Sequence, residues 1–133
     1  MSNRKKDNIY IISILKDTCG YCRQYKNEYW NDNENSWKNI SKKNGFTPWT
    51  IDVTSSNENQ IRQNLIENGV NYINTFPFIM AARENKYGPN QVFVFCANYD
   101  PVSKKYVYSG DGANPCRTTQ NFMKWIKTVK SNI

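Results

Sequence analysis

The apolar run Ile9-Tyr10-Ile11-Ile12-Ser13-Ile14-Leu15 leads into Cys19-Gly20-Tyr21-Cys22, two thiols three residues apart at the start of a stretch with helical periodicity. A short β-branched run bounded by turn-prone residues reads as a fully buried strand. The thiols therefore fall where a strand hands over to a helix. There, unpaired backbone N–H groups and the positive end of the helix dipole stabilise a thiolate, and a partner three residues on can close a small disulfide ring. Such a pair can cycle between dithiol and disulfide.

The rest of the chain supplies alternating elements. Residues 8–15 form the first strand. From Gly20 to about Lys43, apolar and aromatic residues recur at Cys22, Tyr25, Tyr29, Trp30, Trp37 and Ile40, which predicts a helix weakened near Asn31-Asp32-Asn33 and ended by Gly45. At this spacing the aromatics are core residues and not a cofactor box. Thr47 to Thr54 predicts a second strand, and Ser55 with Glu58 makes a capping-box pattern opening a helix with Ile61, Leu65 and Ile66 inward, closed by Asn68-Gly69. Strands follow at Phe78 to Ala82, Gln91 to Ala97 and Lys105 to Tyr108, the last two flanking a turn at Asp100-Pro101. Phe122, Trp125, Ile126 and Val129 lie at i, i+3, i+4 and i+7 of a final helix with Thr118 or Thr119 as N-cap. The order is βαβα, then an antiparallel β part, then α.

At 133 residues the chain is the size of one domain, 1–133. A net charge of +7 raises the question of nucleic acid, but the eighteen Lys and Arg are scattered and the one dense run is Arg4-Lys5-Lys6. A mildly basic solvated surface is the reading, with no nucleic-acid partner; acidic protein partners are compatible with it. The richness in asparagine and lysine is the mark of an AT-rich coding genome, such as that of a large DNA virus or a protist. The first fifteen residues imitate a signal peptide, yet no small-residue cleavage site follows, and no apolar stretch reaches bilayer length. The expectation is a cytoplasmic protein, or a virion-associated one if the genome is viral, with no membrane contact.

Four cysteines in such a chain argue for a redox or metal role of the close pair. Zinc is disfavoured because Cys96 and Cys116 lie twenty residues apart and the chain has no histidine. Cys96, on an apolar strand, reads as a buried small hydrophobe and Cys116 as a surface thiol. A Cys96–Cys116 disulfide is the lesser alternative in a reducing compartment.

Strand, C-x-x-C, helix, strand, helix and then a proline opening a strand is a layout that resembles the thioredoxin superfamily. Cys19-Gly20-Tyr21-Cys22 looks like its redox motif, Thr50-Ile51-Asp52-Val53-Thr54 like its second central strand, and Gly69-Val70 through Thr75-Phe76-Pro77-Phe78-Ile79 like its approach to a cis-proline. Tyr108-Ser109-Gly110-Asp111 with Phe122 and Trp125-Ile126 is similar to the close of disulfide-isomerase domains, and Thr75-Phe76-Pro77 also resembles the glutaredoxin Thr-Val-Pro. Two positions depart from the pattern. Thr18 stands where a tryptophan usually precedes the first cysteine, and Ser13 replaces the buried acid six residues before it.

The resemblance implies an α/β thioredoxin-like fold with a central mixed sheet flanked by helices, and a thiol–disulfide oxidoreductase. In that scheme Cys19 attacks a client disulfide and Cys22, deeper on the helix, resolves the mixed disulfide. Lys16 and Arg23 add positive charge near the helix start. Gly20, Tyr21, Phe76 and Pro77 would contact the client, with the Phe76 backbone free to pair with an extended segment if Pro77 is cis. Pro89, after Gly88, is the alternative for that role. Implied partners are client proteins with disulfides or thiols and a thioredoxin reductase or glutathione system as electron partner; no cofactor is implied. The alternative is a non-catalytic or redox-regulated thioredoxin-fold interaction module.

Overall fold

A computed structural model describes residues 8–16, 18–67, 76–83, 92–100, 102, 105–108 and 116–132. Several sequence features lie outside them: the Asn68-Gly69 helix stop, Gly69-Val70, Thr75, Gly88-Pro89, Pro101 and Ser109-Gly110-Asp111. Among the described residues the order is β1 (Ile9–Lys16), α1 (Gly20–Glu28), α2 (Trp37–Lys43), β2 (Thr47–Val53), α3 (Glu58–Glu67), β3 (Phe78–Arg83), β4 (Val92–Val94), β5 (Ala97–Asp100), β6 (Lys105–Tyr108) and α4 (Thr119–Asn132).

Strands β2, β1, β3 and β4 form one mixed sheet in that order; β5 pairs with β6 separately. Strand β1 runs parallel to β2, with Ile14 opposite Ile51, and antiparallel to β3, with Ile14 opposite Phe78. Being interior, β1 is buried on both faces, which explains its unbroken apolar run. Its period of two divides the core. Ile11 and Leu15 join Trp30, Trp37, Phe95, Phe122 and Ile126 on one side of the sheet, while Ile12 and Ile14 join Val53, Phe78 and Met80 on the other, against Ile61 and Leu65 of α3.

The helix expected over Gly20–Lys43 is two helices. Tyr29 ends the first, and the polar stretch 31–36 forms turns in which the Asn33 N–H donates to Asn31 Oδ1 at 2.9 Å. Ser36 then caps α2, its hydroxyl accepting from the Asn39 N–H at 3.2 Å. The break leaves Trp30 and Trp37 fully buried. Trp37 stacks on Phe122 of α4 with ring centroids 4.3 Å apart, and its indole N–H donates to Thr119 Oγ1 at 3.1 Å. Helix α2 closes in a Schellman arrangement around Gly45, at φ 85°: the Phe46 N–H donates to Ser41 O and the Gly45 N–H to Lys42 O.

Three further expectations are corrected. The strand read over Gln91–Ala97 is two strands, because Cys96 adopts φ 62° and turns the chain out of the main sheet. Ile66 is exposed, since it sits one position past the Ile61/Leu65 stripe. Ser55 and Glu58 make no capping box in the described contacts. Instead, the Asn57 side chain organises that turn, accepting from the Thr54 N–H at 2.7 Å and donating to Asp52 O at 3.1 Å, and helix α3 starts at Glu58. Among the described residues no helix is long and apolar enough to cross a membrane.

Candidate active site

Strand β1 ends at Lys16, whose carbonyl accepts the Cys19 N–H at 3.0 Å, and α1 begins at Gly20 with Cys19 as its N-cap. Capping by a thiol is possible because Cys19 has extended backbone angles, which turn its sulfur back over the first helical turn; the Cys22 N–H donates to it at 3.3 Å. Cys19 is half-buried and Cys22 is buried, so the first thiol faces outward and the second lies behind it. Gly20 and Tyr21 are exposed beside them, Tyr21 at 64%.

The Phe76–Pro77 segment reaches the same place from the other side of the chain. The Cys19 thiol donates to the Phe76 carbonyl at 3.4 Å, and the Phe76–Pro77 peptide bond is cis, with Pro77 buried. All six sequence-selected residues are thus at one locus or bordering it. The Phe76 carbonyl, however, is not free in the dithiol state: Cys19 occupies it.

Behind the thiols the surroundings differ from those the charge pattern suggested. Burial pushes the Cys22 thiol up to about 12. The Lys16 N–H, donating to its sulfur at 3.4 Å, and the Arg117 positive charge pull the other way, while neighbouring Cys19 adds to the rise. Ser13, in the place of the expected acid, is fully buried and hydrogen-bonded to the Tyr25 hydroxyl at 2.8 Å. Burial raises the Tyr25 phenol above its ordinary value, so this corner is neutral. Lys16 spends its charge elsewhere: its ammonium pairs with Glu58 at 2.7 Å and lies 5.9 Å from the Phe76 ring centroid. Arg62 approaches the same ring at 5.4 Å and binds Glu58 at 3.3 Å. The Lys16 hydrogen bond, helped by Arg62, holds the Glu58 carboxyl below the usual carboxylate range. Next to this cluster and Thr18 opens a cleft of about 530 Å³, lined also by Thr54, Ser55 and Asn59.

One feature was missed in the sequence, and one was read there only as the lesser alternative. Arg117 Nη2 donates to the Pro77 carbonyl at 2.9 Å, tying the start of α4 to the proline segment. The residue before it, Cys116, is disulfide-bonded to Cys96 with Cα atoms 5.9 Å apart, so the readings of a free buried Cys96 and a surface Cys116 thiol are corrected. The turn at Cys96 brings the two together. Bonded to each other, neither is available to a metal. The disulfide was the lesser alternative in the sequence, and an Arg directly after a cysteine at a helix start was the one local signal for the Arg117 contact.

No protein-family model and no curated protein matches the chain. Among solved structures it is similar to the first two thioredoxin domains of Eps1p from Naumovozyma dairenensis, with a TM-score of 0.51 and 18% identity. The match covers 96% of this chain and 38% of that one. The likeness is one of fold, and with the β1-α1-α2-β2-α3 order and mixed sheet it establishes a thioredoxin-like α/β architecture.

Proposed function

We propose that the chain is a thiol–disulfide oxidoreductase acting on protein disulfides through Cys19 and Cys22. The observation that carries this reading is the outward Cys19 at a helix N-cap, with buried Cys22 one turn behind it and the Phe76 carbonyl in front. The Cys19 thiolate attacks one sulfur of a client disulfide, forming a Cys19–client mixed disulfide and expelling the other client sulfur, which takes up a proton. Cys22 then loses its proton and attacks Cys19 Sγ, releasing the second client thiol and leaving a Cys19–Cys22 disulfide. A thioredoxin reductase or a glutathione system returns the two electrons. Once Cys19 has lost its proton, the Phe76 carbonyl can accept an N–H from an extended client segment, with Gly20 and Tyr21 alongside.

The second reading, a redox-regulated interaction module, draws on one observation: burial keeps Cys22 protonated through the neutral range, which favours long-lived mixed disulfides. One experiment separates the two. The reduced protein should reduce insulin, and Cys22→Ser should trap mixed disulfides through Cys19. Accumulation of mixed disulfides by the unmodified chain without insulin reduction selects the module; no reduction and no trapping ends both readings. As to location, the Cys96–Cys116 bond suits an oxidising setting better than the cytoplasm expected from the sequence.

A further inference from the structure

Arg117 is held from both sides. Toward its C-terminal side, Thr118 caps α4, its hydroxyl accepting the Asn121 N–H at 3.1 Å. Toward its N-terminal side, Cys116 carries the disulfide to Cys96, and its carbonyl accepts from the Thr118 N–H and the Asn121 amide, each at 2.9 Å. The far end of that disulfide is fixed as well. Cys96 is buried, and the preceding Phe95 N–H donates to Ile79 O at 2.9 Å, on the strand that Pro77 leads into. The chain therefore closes a ring of contacts, from Pro77 through β3 to Phe95 and Cys96, across the disulfide to Cys116 and Arg117, and back to Pro77 through the guanidinium. The Arg117 charge at one corner of this ring favours the ionised form of Cys22.

We propose that the Cys96–Cys116 disulfide is a redox-sensitive positioning element that seats Arg117 on the Pro77 carbonyl, next to the Phe76 carbonyl that Cys19 contacts, so that opening it draws the Arg117 charge away from the dithiol and makes Cys22 a poorer nucleophile. Opening requires a thiol reductant. Its thiolate attacks Cys116 Sγ, the half-buried end, and Cys96 leaves as a thiolate and is protonated. A second reductant thiolate attacks the reductant sulfur of the mixed disulfide, freeing Cys116; two electrons pass to the protein and the reductant leaves as its disulfide. The consequence for clients rests on the oxidoreductase reading, whereas the effect on Cys22 does not.

The test reads Cys22 alone. Cys19 is charged with thionitrobenzoate from its aromatic disulfide, and release of the thionitrobenzoate by Cys22 is followed by absorbance at fixed neutral pH. Cys96→Ala/Cys116→Ser should slow release by about 3- to 10-fold, the thiolate loss expected when a nearby opposite charge is displaced. Arg117→Gln in the disulfide-intact chain should slow it equally, Arg117→Lys should restore part of the rate, and the combined variant should be no slower than either alone. Release at the unmodified rate in the folded Cys96→Ala/Cys116→Ser chain, or multiplying effects in the combination, overturns the proposal. Should that chain fail to fold, an unchanged rate in Arg117→Gln overturns it alone. Release needs no protein client, so failure to reduce insulin and failure here are distinct results.

Discussion

The Ser13 and Tyr25 hydroxyls lie 2.8 Å apart between β1 and α1, both closed off from solvent. Each satisfies the other in the place where the family resemblance would put a charged group. Removing one partner strands the other, and a buried unpaired hydroxyl costs about 1–3 kcal/mol. Tyr25→Phe and Ser13→Ala should each destabilise by that amount in urea denaturation. The double variant should cost less than the sum, because it leaves no orphan. An additive result would mean that the two hydroxyls do not depend on each other.

Cys22 makes stability depend on alkaline pH. Its thiol is pushed from 9.0 up to about 12 in the folded chain, so between those values the unfolded chain gives up a proton that the folded chain keeps. Stability therefore has its full Cys22 contribution below the ordinary thiol value and loses it as pH rises toward 12. In the reduced protein, the loss between pH 7 and pH 10 should exceed that of Cys22→Ala by about 1 kcal/mol. Tyr25, raised in the same direction, is present in both chains and cancels from the comparison. Equal alkaline slopes would show that the folded chain does not hold the Cys22 proton.

Much of this arrangement was legible in the sequence because it is written locally. A β-branched run announces a strand buried on both faces, the C-x-x-C pair marks the strand–helix junction, and Gly45 marks a left-handed helix end. Phe122, Trp125, Ile126 and Val129 marked the inner face of α4, where all but Trp125 are buried, and of the two cap candidates, Thr118 and Thr119, Thr118 holds the place. What stayed hidden depends on partners far along the chain. Glu58 looked like half of a capping box, but Lys16 and Arg62 claim its carboxylate. Gln91–Ala97 looked like one strand since nothing local distinguishes Cys96; its left-handed conformation goes with a bond to a cysteine twenty residues on. Arg117 meets its partner, the Pro77 carbonyl, forty residues away in the chain.

The Glu58 cluster predicts an acid limb of opposite sign to the Cys22 effect. Because Lys16 and Arg62 hold the carboxyl below the usual range, its contribution is present above about pH 4.3 and is lost as pH falls through the lowered folded value. Glu58→Gln should be less stable than the unmodified chain at pH 7, and the gap should narrow as the pH is lowered to 3. Adding salt at pH 7 should narrow it too, since these side chains are partly exposed. A gap that stays constant from pH 7 to 3 would mean that the ion pairs are not what the substitution removes.

Two glycines with equally open surroundings should respond in opposite directions. At both Gly20 and Gly45 a Cβ would meet no heavy atom within 4 Å, so steric crowding does not separate them. Backbone conformation does. Gly45 sits at φ 85°, where an L side chain crowds its own carbonyl, and Gly45→Ala should cost about 1–2 kcal/mol. Gly20 opens α1. There alanine reduces the freedom of the unfolded chain without strain, and Gly20→Ala should be stabilising by about 0.4–1 kcal/mol. Thermal denaturation of the two variants under identical reducing conditions reads both signs. A destabilising Gly20→Ala would show that Gly20 does not hold a strain-free helical conformation in the folded chain.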